Sequence, residues 1–282
     1  MISALTRRFL GGKRFDRVSV NLTWPCPLGD SERQCPYCWV KHAVRSDANL
    51  YGLPDRPAED WQEVFHRLDP AILDFVGGEP FLYEGFVRLI RDLPNKHRYA
   101  PTSNLHCDAI FQFARECDPK RCVSFTASFH FTGLLSKEEF ADRLEVLRGS
   151  GFPVSVNLVN YPPFRDRILD IYEFFQQRRF ATHISPYERI DEVRSDFDGL
   201  FVCSCGINRY IISNNGDAYR CFSWFKRPDR KRAYMGNLFD GTFRKYEEEK
   251  LCDIRCEPYL VYDPTDGMVP DMRIRVVKPW LK

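Results

Sequence analysis

The first 190 residues alternate repeatedly between strand-like and helix-like segments, and this alternation constrains the fold more than any other feature of the chain. Strands are predicted where polarity alternates or where short apolar runs occur. Repeated strand–helix units favour a parallel sheet with right-handed crossovers. We therefore predict an α/β fold with about six units, fewer than the eight of a closed TIM barrel. The predicted strands are 17–23, 71–76, 98–104, 122–129, 153–159 and 180–185.

Helical patterns lie between the predicted strands. The segment 136–148 has the clearest boundaries, because Ser136 can cap its N-terminus, acidic residues fill its first turn and glycines follow its end. Residues 51–60 are rich in Pro and Asp and predict a loop. The other predicted helices are 40–48, 61–68, 81–93, 108–116 and 164–178.

The pattern changes after about residue 188. Segments 207–213 and 218–222 flank an Asn-Asn-Gly-Asp turn, and Asn-Gly is the strongest short signal for a β-hairpin. A short helix is predicted at 242–250 and a further strand at 272–277. We therefore predict a core domain at 1–190 and a smaller domain at 191–282.

Charge and composition exclude several classes of protein. The net charge is +2, so no overall field favours nucleic acid or an anionic membrane. No apolar run approaches the roughly 18 residues of a membrane span, and residues 1–12 lack a secretory core, although an organelle-targeting segment remains an alternative. We expect a cytoplasmic protein. Two basic stretches, 7–17 and 226–232, are interpreted as solvated surface, with a site for phosphate or an acidic peptide as the alternative.

Eleven cysteines without a secretion signal favour metal or cluster ligands over disulfides. Cys26, Cys35 and Cys38 follow the first predicted strand with C-x₈-C-x₂-C spacing. Three thiolates suit a [4Fe-4S] cluster that keeps one iron open, and a zinc site is the alternative. After the second predicted strand comes the segment Gly77-Gly78-Glu79-Pro80. Catalysis in such folds occurs at the C-terminal ends of the strands, where both motifs lie.

These two motifs, in this order, resemble the radical S-adenosylmethionine (SAM) superfamily. The resemblance implies a partial (β/α)6 TIM-like barrel, a SAM-binding [4Fe-4S] cluster on the three cysteines, and SAM held near Glu79. The common spacing in the superfamily is C-x₃-C-x₂-C, so the first gap is longer here, while the aromatic before the last cysteine is kept as Tyr37. Cofactor contacts implied by the resemblance are Tyr37, Gly77, Gly78, Glu79, Pro80, Ser103, Asn104, Ser128 and Asn157.

Some of these implied contacts have an ordinary alternative. Ser103, Asn104, Ser128 and Asn157 could equally be strand polarity. His130, just past the fourth strand, could contact substrate or be a satisfied histidine of the core or surface. We single out no general acid or base.

A second group of cysteines lies in the last 80 residues. Its arrangement around a hairpin and a C-x₃-C pair resembles the SPASM or twitch module, which holds an auxiliary [4Fe-4S] cluster. A structural zinc site is the alternative. Cys107, Cys117 and Cys122 lack ligand spacing and are interpreted as core or helix residues. The implied auxiliary ligands are Cys205, Cys221, Cys252 and Cys256, with Cys203 as a substitute.

The resemblance implies an enzyme that cleaves SAM reductively to a 5′-deoxyadenosyl radical, which then abstracts hydrogen from a substrate. Our main hypothesis is a small-molecule substrate of the sugar, aminocyclitol or nucleoside type, with the auxiliary cluster transferring electrons. One alternative is a peptide-modifying maturase, and another is a non-catalytic zinc protein. An electron donor such as flavodoxin or ferredoxin is the expected partner.

Overall fold

The structure is a computed structural model. It describes residues 15–29, 35–43, 53–186, 200–203, 205–227, 229–252, 260–263, 267–270 and 275–277. The strands are β1 Asp16–Asn21, β2 Ala71–Val76, β3 Arg98–Ser103, β4 Phe125–Phe129, β5 Val154–Asn160, β6 Ala181–Pro186, β7 Leu200–Cys203, β8 Arg209–Ile212, β9 Asp217–Tyr219, β10 Tyr234–Asn237, β11 Lys250–Cys252, β12 Leu260–Asp263, β13 Gly267–Pro270 and β14 Arg275–Val277. The α-helices are α1 Trp39–Ala43, α2 Ala58–Arg67, α3 Phe86–Arg91, α4 Ala109–Glu116, α5 Lys137–Gly149, α6 Arg165–Gln177 and α7 Phe222–Phe225.

Strands β1 to β6 lie side by side in chain order and pair in parallel. This confirms the predicted α/β class with a largely parallel sheet. Closure into a partial (β/α)6 barrel stays a prediction. On β2 and β4 alternate residues are buried in the core, as Phe125, Ala127 and Phe129 are on β4. Because the six strands are parallel, their C-terminal ends all lie at one edge of the sheet, where the candidate site is found.

Helix α5 begins as the sequence predicts. The Ser136 side chain accepts a hydrogen bond from the backbone N–H of Glu139, and the Glu139 carboxylate accepts one from the backbone N–H of Ser136. This reciprocal arrangement satisfies two donors at the helix start. Phe140 of α5 then packs on Phe129 and on Phe175 of α6, which closes the core over β4.

The predicted hairpin is confirmed as β8 and β9, which pair antiparallel. Strand β8 also pairs in parallel with β1, so the hairpin and β10 extend the main sheet on the side opposite β2. The sheet thus crosses residue 190, although the division into two domains there stays a prediction. Elsewhere, β7 pairs with β11 and β14, and the described part of the strand predicted at 272–277 is confirmed as β14.

Several predicted elements need correction. The helix expected at 61–68 begins three residues earlier, at Ala58, within the predicted loop. The helix expected at 81–93 is instead a 3₁₀ turn, Pro80–Leu82, and the short α3, because Gly85 adopts φ +86° between them. The strand expected from 122 begins at Phe125, after a 3₁₀ turn at Pro119–Arg121. Of the helix expected at 40–48, residues 44–48 lie outside the described residues.

The helix predicted at 242–250 is wrong. The backbone N–H groups there bond to distant carbonyls rather than within the segment: Phe243 to Asn237, Arg244 to Met235, and Tyr246 to Gly206. These bonds replace those of a helix, and the segment runs as irregular chain to β11. Pairing with other parts of the chain therefore overrides the local helical pattern.

The interpretation of the basic run 226–232 as solvated surface is also wrong in part. Arg230 is buried and donates to a backbone carbonyl. The guanidinium carbons of Arg227 and Arg232 lie 4.9 Å and 5.0 Å from the centroid of the Trp224 ring. Arg17, from the other basic stretch, pairs with Asp74 at 2.6 Å. None of the helices in the described part of the chain has both the length and the apolar character that crossing a bilayer requires.

Candidate active site

The two sequence motifs lie side by side at the C-terminal ends of β1 and β2. The backbone N–H of Glu79 donates to the carbonyl of Pro25 at 2.8 Å, and that of Gly78 donates to Thr23 at 3.2 Å. A Cβ on Gly78 would lie 2.1 Å from the Pro25 oxygen and 2.2 Å from the Trp24 oxygen. Glycine is therefore required for the second motif to pack against the chain that leads to Cys26.

Glu79 is buried, with three donors directed at its carboxylate. Oε1 accepts from the Ser103 hydroxyl at 2.9 Å and from the backbone N–H of Phe81 at 3.2 Å, while Oε2 accepts from the backbone N–H of Asn104 at 2.7 Å. Burial raises the pKa of Glu79 to about 7, although these hydrogen bonds oppose the rise. The structure thus brings Ser103 and Asn104 to Glu79, as a shared site requires.

Asn104 also reaches the first cysteine. Its side-chain amide nitrogen lies 3.3 Å from Cys26 Sγ. The backbone of Leu28 also hydrogen-bonds this sulfur. Burial raises the pKa of the Cys26 thiol to about 11, and both hydrogen bonds oppose the rise. Donors aimed at a sulfur stabilise its thiolate, the form that binds iron.

Cys35 and Cys38 lie in the turn that precedes α1. The pKa of the Cys35 thiol is raised to about 12, mainly by burial and also by the neighbouring Cys38 and Cys26, so the three sulfurs lie within electrostatic reach of one another. Within the described residues, no group of three or more His, Cys, Asp or Glu side chains is arranged to hold a metal ion. Three thiols in electrostatic reach of one another, two of them with hydrogen-bond donors near their sulfurs, are nevertheless the type of ligand that an iron–sulfur cluster requires.

Tyr37, which lies near Cys35 and Cys38, belongs to an aromatic cluster. The Tyr37 hydroxyl and His130 Nδ1 hydrogen-bond at 3.0 Å, and the Tyr37 ring lies 5.4 Å from that of Tyr161. Burial lowers the pKa of His130 to about 4, so the ring is neutral near pH 7. Thr132 Oγ1 lies 3.9 Å from Cys35 Sγ. Sequence reasoning missed Tyr161 and Thr132, although both follow strands that end at this edge.

Ser128 and Asn157 are neighbours in register on β4 and β5, and His183 on β6 is the next residue in the same row. The Ser185 hydroxyl donates to Asn157 Oδ1 at 2.5 Å. The strands thus bring these polar side chains onto one face of the sheet. His183 and Ser185 were not predicted, and the only signal available was their position late in the sixth strand.

The second cysteine group is described in part. Cys205 packs against a small core of Cys221, Trp224 and Ala233. The backbone N–H of Trp224 points at Cys221 Sγ at 3.5 Å. Cys203 and Cys252 lie on the paired strands β7 and β11, with Cys252 opposite Phe201. Cys256 lies outside the described residues.

The two cysteine groups are joined by an aromatic contact that the sequence did not predict. Trp39 directly follows Cys38 and begins α1, and Phe222 directly follows Cys221 and begins α7. Their ring centroids lie 4.6 Å apart. Trp24 extends the cluster, with its ring 5.9 Å from Trp39. The remaining described cysteines, Cys107, Cys117 and Cys122, belong to the main core or pack against it, which agrees with the prediction.

No family model matches the chain, and no curated protein matches it. Solved structures of the protein anSMEcpe do match. Native anSMEcpe with bound AdoMet superimposes with a TM-score of 0.56 at 15% identity, covering 80% of this chain and 78% of that chain. The complexes of the same protein with AdoMet and a Cp18Cys or a Kp18Cys peptide each give 0.53, at 15% and 14% identity, covering 80% of this chain and 78% and 79% of theirs. At these identities the likeness shows a common mixed α/β fold with a largely parallel sheet.

Proposed function

We propose that this protein is a radical SAM enzyme. The observation that carries the proposal is the connection from Glu79 through Asn104 to Cys26, which joins the two motifs into one site at the end of the parallel strands. The shared fold with AdoMet-bound anSMEcpe supports the same conclusion.

In this proposal Cys26, Cys35 and Cys38 hold a [4Fe-4S] cluster and leave one iron without a protein ligand. Such a cluster, reduced by an electron-donor protein, would supply the one electron for reductive cleavage of the C5′–S bond of SAM, and the resulting radical would abstract hydrogen from the substrate. Glu79 accepts a hydrogen bond from the amino group of SAM.

Further residues are assigned by their places around this site. Gly77, Gly78 and Pro80 form the backbone on either side of Glu79. Tyr37 and Ser103 line the same proposed SAM site. Ser128 and Asn157 provide polar contacts for the ribose and carboxylate of SAM, from the neighbouring strands β4 and β5.

The favoured substrate is a peptide or protein side chain. The support is that anSMEcpe, which shares this fold, has been solved with AdoMet and peptides together. The small-molecule hypothesis is the second candidate. His183 and Ser185 on β6 favour it, because polar side chains next to the proposed SAM contacts suit a hydroxyl-rich ligand.

We assign the second cysteine group to an auxiliary [4Fe-4S] cluster on Cys205, Cys221, Cys252 and Cys256, with zinc as the alternative metal. Its support is the shared core of Cys205 and Cys221 and the N–H directed at the Cys221 sulfur. A flavodoxin or ferredoxin is the proposed source of electrons.

The test is the content of iron, sulfide and zinc per chain after anaerobic reconstitution. We expect about eight irons in the wild type, because each [4Fe-4S] cluster holds four. Cys35→Ala/Cys38→Ala should retain about four irons and lose the formation of 5′-deoxyadenosine. Cys117→Ala/Cys122→Ala is the matched control, because it also removes two thiols, both of them buried. This variant should keep the iron content of the wild type and the formation of 5′-deoxyadenosine.

Other outcomes separate the alternatives. About four irons falling to none, with one zinc retained, would make the second group a structural zinc site. Zinc without iron in the wild type would refute the radical SAM assignment. Once cleavage of SAM is established, proteome-derived peptides and sugar or nucleoside mixtures can be compared for coupled formation of 5′-deoxyadenosine.

A further inference from the structure

The side-chain amide of Asn104 is held in one orientation by donors whose identity is unambiguous. The backbone N–H of Leu134 donates to His106 Nε2 at 3.0 Å, so that nitrogen carries no proton. The proton of the neutral ring is then on Nδ1, which lies 2.8 Å from the Asn104 carbonyl and 3.1 Å from Asn104 Oδ1. The backbone N–H of His106 also donates to Oδ1 at 3.0 Å.

These contacts decide which end of the amide faces the cysteine. Because Oδ1 accepts from His106, the NH₂ group must point the other way, where Cys26 Sγ lies 3.3 Å from Nδ2. Asn104 is itself buried, so water does not compete for the amide. Leu105, between Asn104 and His106, has a backbone φ of +61°, which residues other than glycine rarely adopt. The turn is thus bent to bring the imidazole back onto Asn104.

We propose that Asn104 is a positioning residue that sets the reduction potential of the cluster through an N–H···S bond to Cys26, with His106 holding the amide in place. The inference rests on the proposed function. Hydrogen bonds to ligating sulfurs stabilise the more negative, reduced state, so they raise the reduction potential. Removing the donor therefore shifts the midpoint potential to more negative values.

The same residue contacts Glu79 by a different atom. The backbone N–H of Asn104 donates to Glu79 Oε2, and every substitution at this position except proline keeps that group. A substitution of the side chain therefore removes the contact with Cys26 and keeps the contact with Glu79. We assign the implied role of Asn104 beside SAM to its backbone N–H, which Asn104→Ala keeps. The potential should therefore change, whereas the affinity for SAM should fall by no more than about twofold, or about 0.5 kcal/mol. If Asn104 had only a structural role, the substitution would change both the reduction potential and the affinity for SAM, or neither of them.

The experiment compares wild type, Asn104→Ala and Asn95→Ala. Asn95 is exposed and precedes β3, whereas Asn104 follows it, so the control makes the same substitution at the opposite end of one strand. Midpoint potentials are measured by EPR-monitored redox titration of the reconstituted proteins, and SAM affinity by equilibrium binding. We expect a negative shift for Asn104→Ala and none for Asn95→Ala. His106→Ala, which leaves the amide but frees its orientation, should give a smaller shift of the same sign.

A second measurement uses the metal-free protein. A double-mutant cycle of Asn104→Ala and Cys26→Ala on the free energy of unfolding should give a coupling beyond experimental error, because the two side chains touch. An unmoved potential in iron-loaded Asn104→Ala and His106→Ala would overturn this inference and leave the proposed function intact. Absence of iron from the wild type would overturn both, and a coupling in the metal-free chain would then show that only the contact is real.

Discussion

At the scale of single residues, Gly78 is where the two motifs meet most closely. A methyl group there would overlap two backbone carbonyl oxygens, those of Trp24 and Pro25, and neither can rotate away as a side-chain end could. We expect Gly78→Ala to lower the free energy of unfolding by about 3 kcal/mol or more, the range of severe core substitutions. Urea denaturation of the metal-free protein measures it.

The control for this prediction is Gly149→Ala. Gly149 ends α5, and a Cβ there would meet nothing within 4 Å. Alanine should be neutral or stabilise by up to about 1 kcal/mol, since it restricts the unfolded chain. Equal effects of the two substitutions would contradict the close packing of Gly78 against the cysteine loop.

Glu79 gives a prediction about pH. Its pKa is raised from 4.5 to about 7, so between these values the folded protein keeps a proton that the unfolded chain has lost. Stability contributed by this group therefore falls as pH rises through that window, by about 3 kcal/mol in total. Glu79→Gln carries no titrating group at this position. Between pH 4 and pH 8, the free energy of unfolding of the metal-free variant should rise by about 3 kcal/mol relative to that of the wild type. A difference that stays constant with pH would contradict the raised pKa.

At the scale of elements, the sequence predicts what depends on local pattern. The β/α alternation is readable because a strand repeats every two residues and a helix every 3.6. The proximity of the cysteine motif and the Gly-Gly-Glu-Pro motif is also predictable from the sequence, because neighbouring parallel strands end at the same edge of a sheet. The helix expected at 242–250 fails because its N–H groups bond to carbonyls such as that of Gly206, about forty residues away.

Contacts between distant elements explain what the sequence could not predict about the site. Asn104 and Cys26 are 78 residues apart, and which end of the amide faces the sulfur depends on Leu134, on a third loop. The contact of Trp39 with Phe222 depends in the same way on how α1 and α7 dock. Spacing identifies the cysteines, but only the packed fold shows which donors surround them.

At the scale of the whole molecule, the region after residue 200 is bonded to the first β/α units. The Asn21 side chain donates to the Ile212 carbonyl, and Lys245 pairs with Asp16 and Asp69. Leu238 is buried in the same core cluster as residues of β1 and α2. These contacts cross the domain boundary predicted at residue 190, so we expect the described regions on both sides to unfold together.

Leu238→Ala tests this cooperativity. Truncating a buried leucine costs about 2–5 kcal/mol, and the loss should shift the transitions followed by tryptophan fluorescence and by far-UV circular dichroism equally. Leu169→Ala is the matched control, because that leucine is 61% exposed and its loss should cost less than about 0.5 kcal/mol. Two separate transitions, with only one shifted by Leu238→Ala, would mean that the second cysteine group lies in a domain that folds independently. A single shifted transition would mean that both cysteine groups depend on one fold, so that damage near Leu238 also disturbs the loop that carries Cys26.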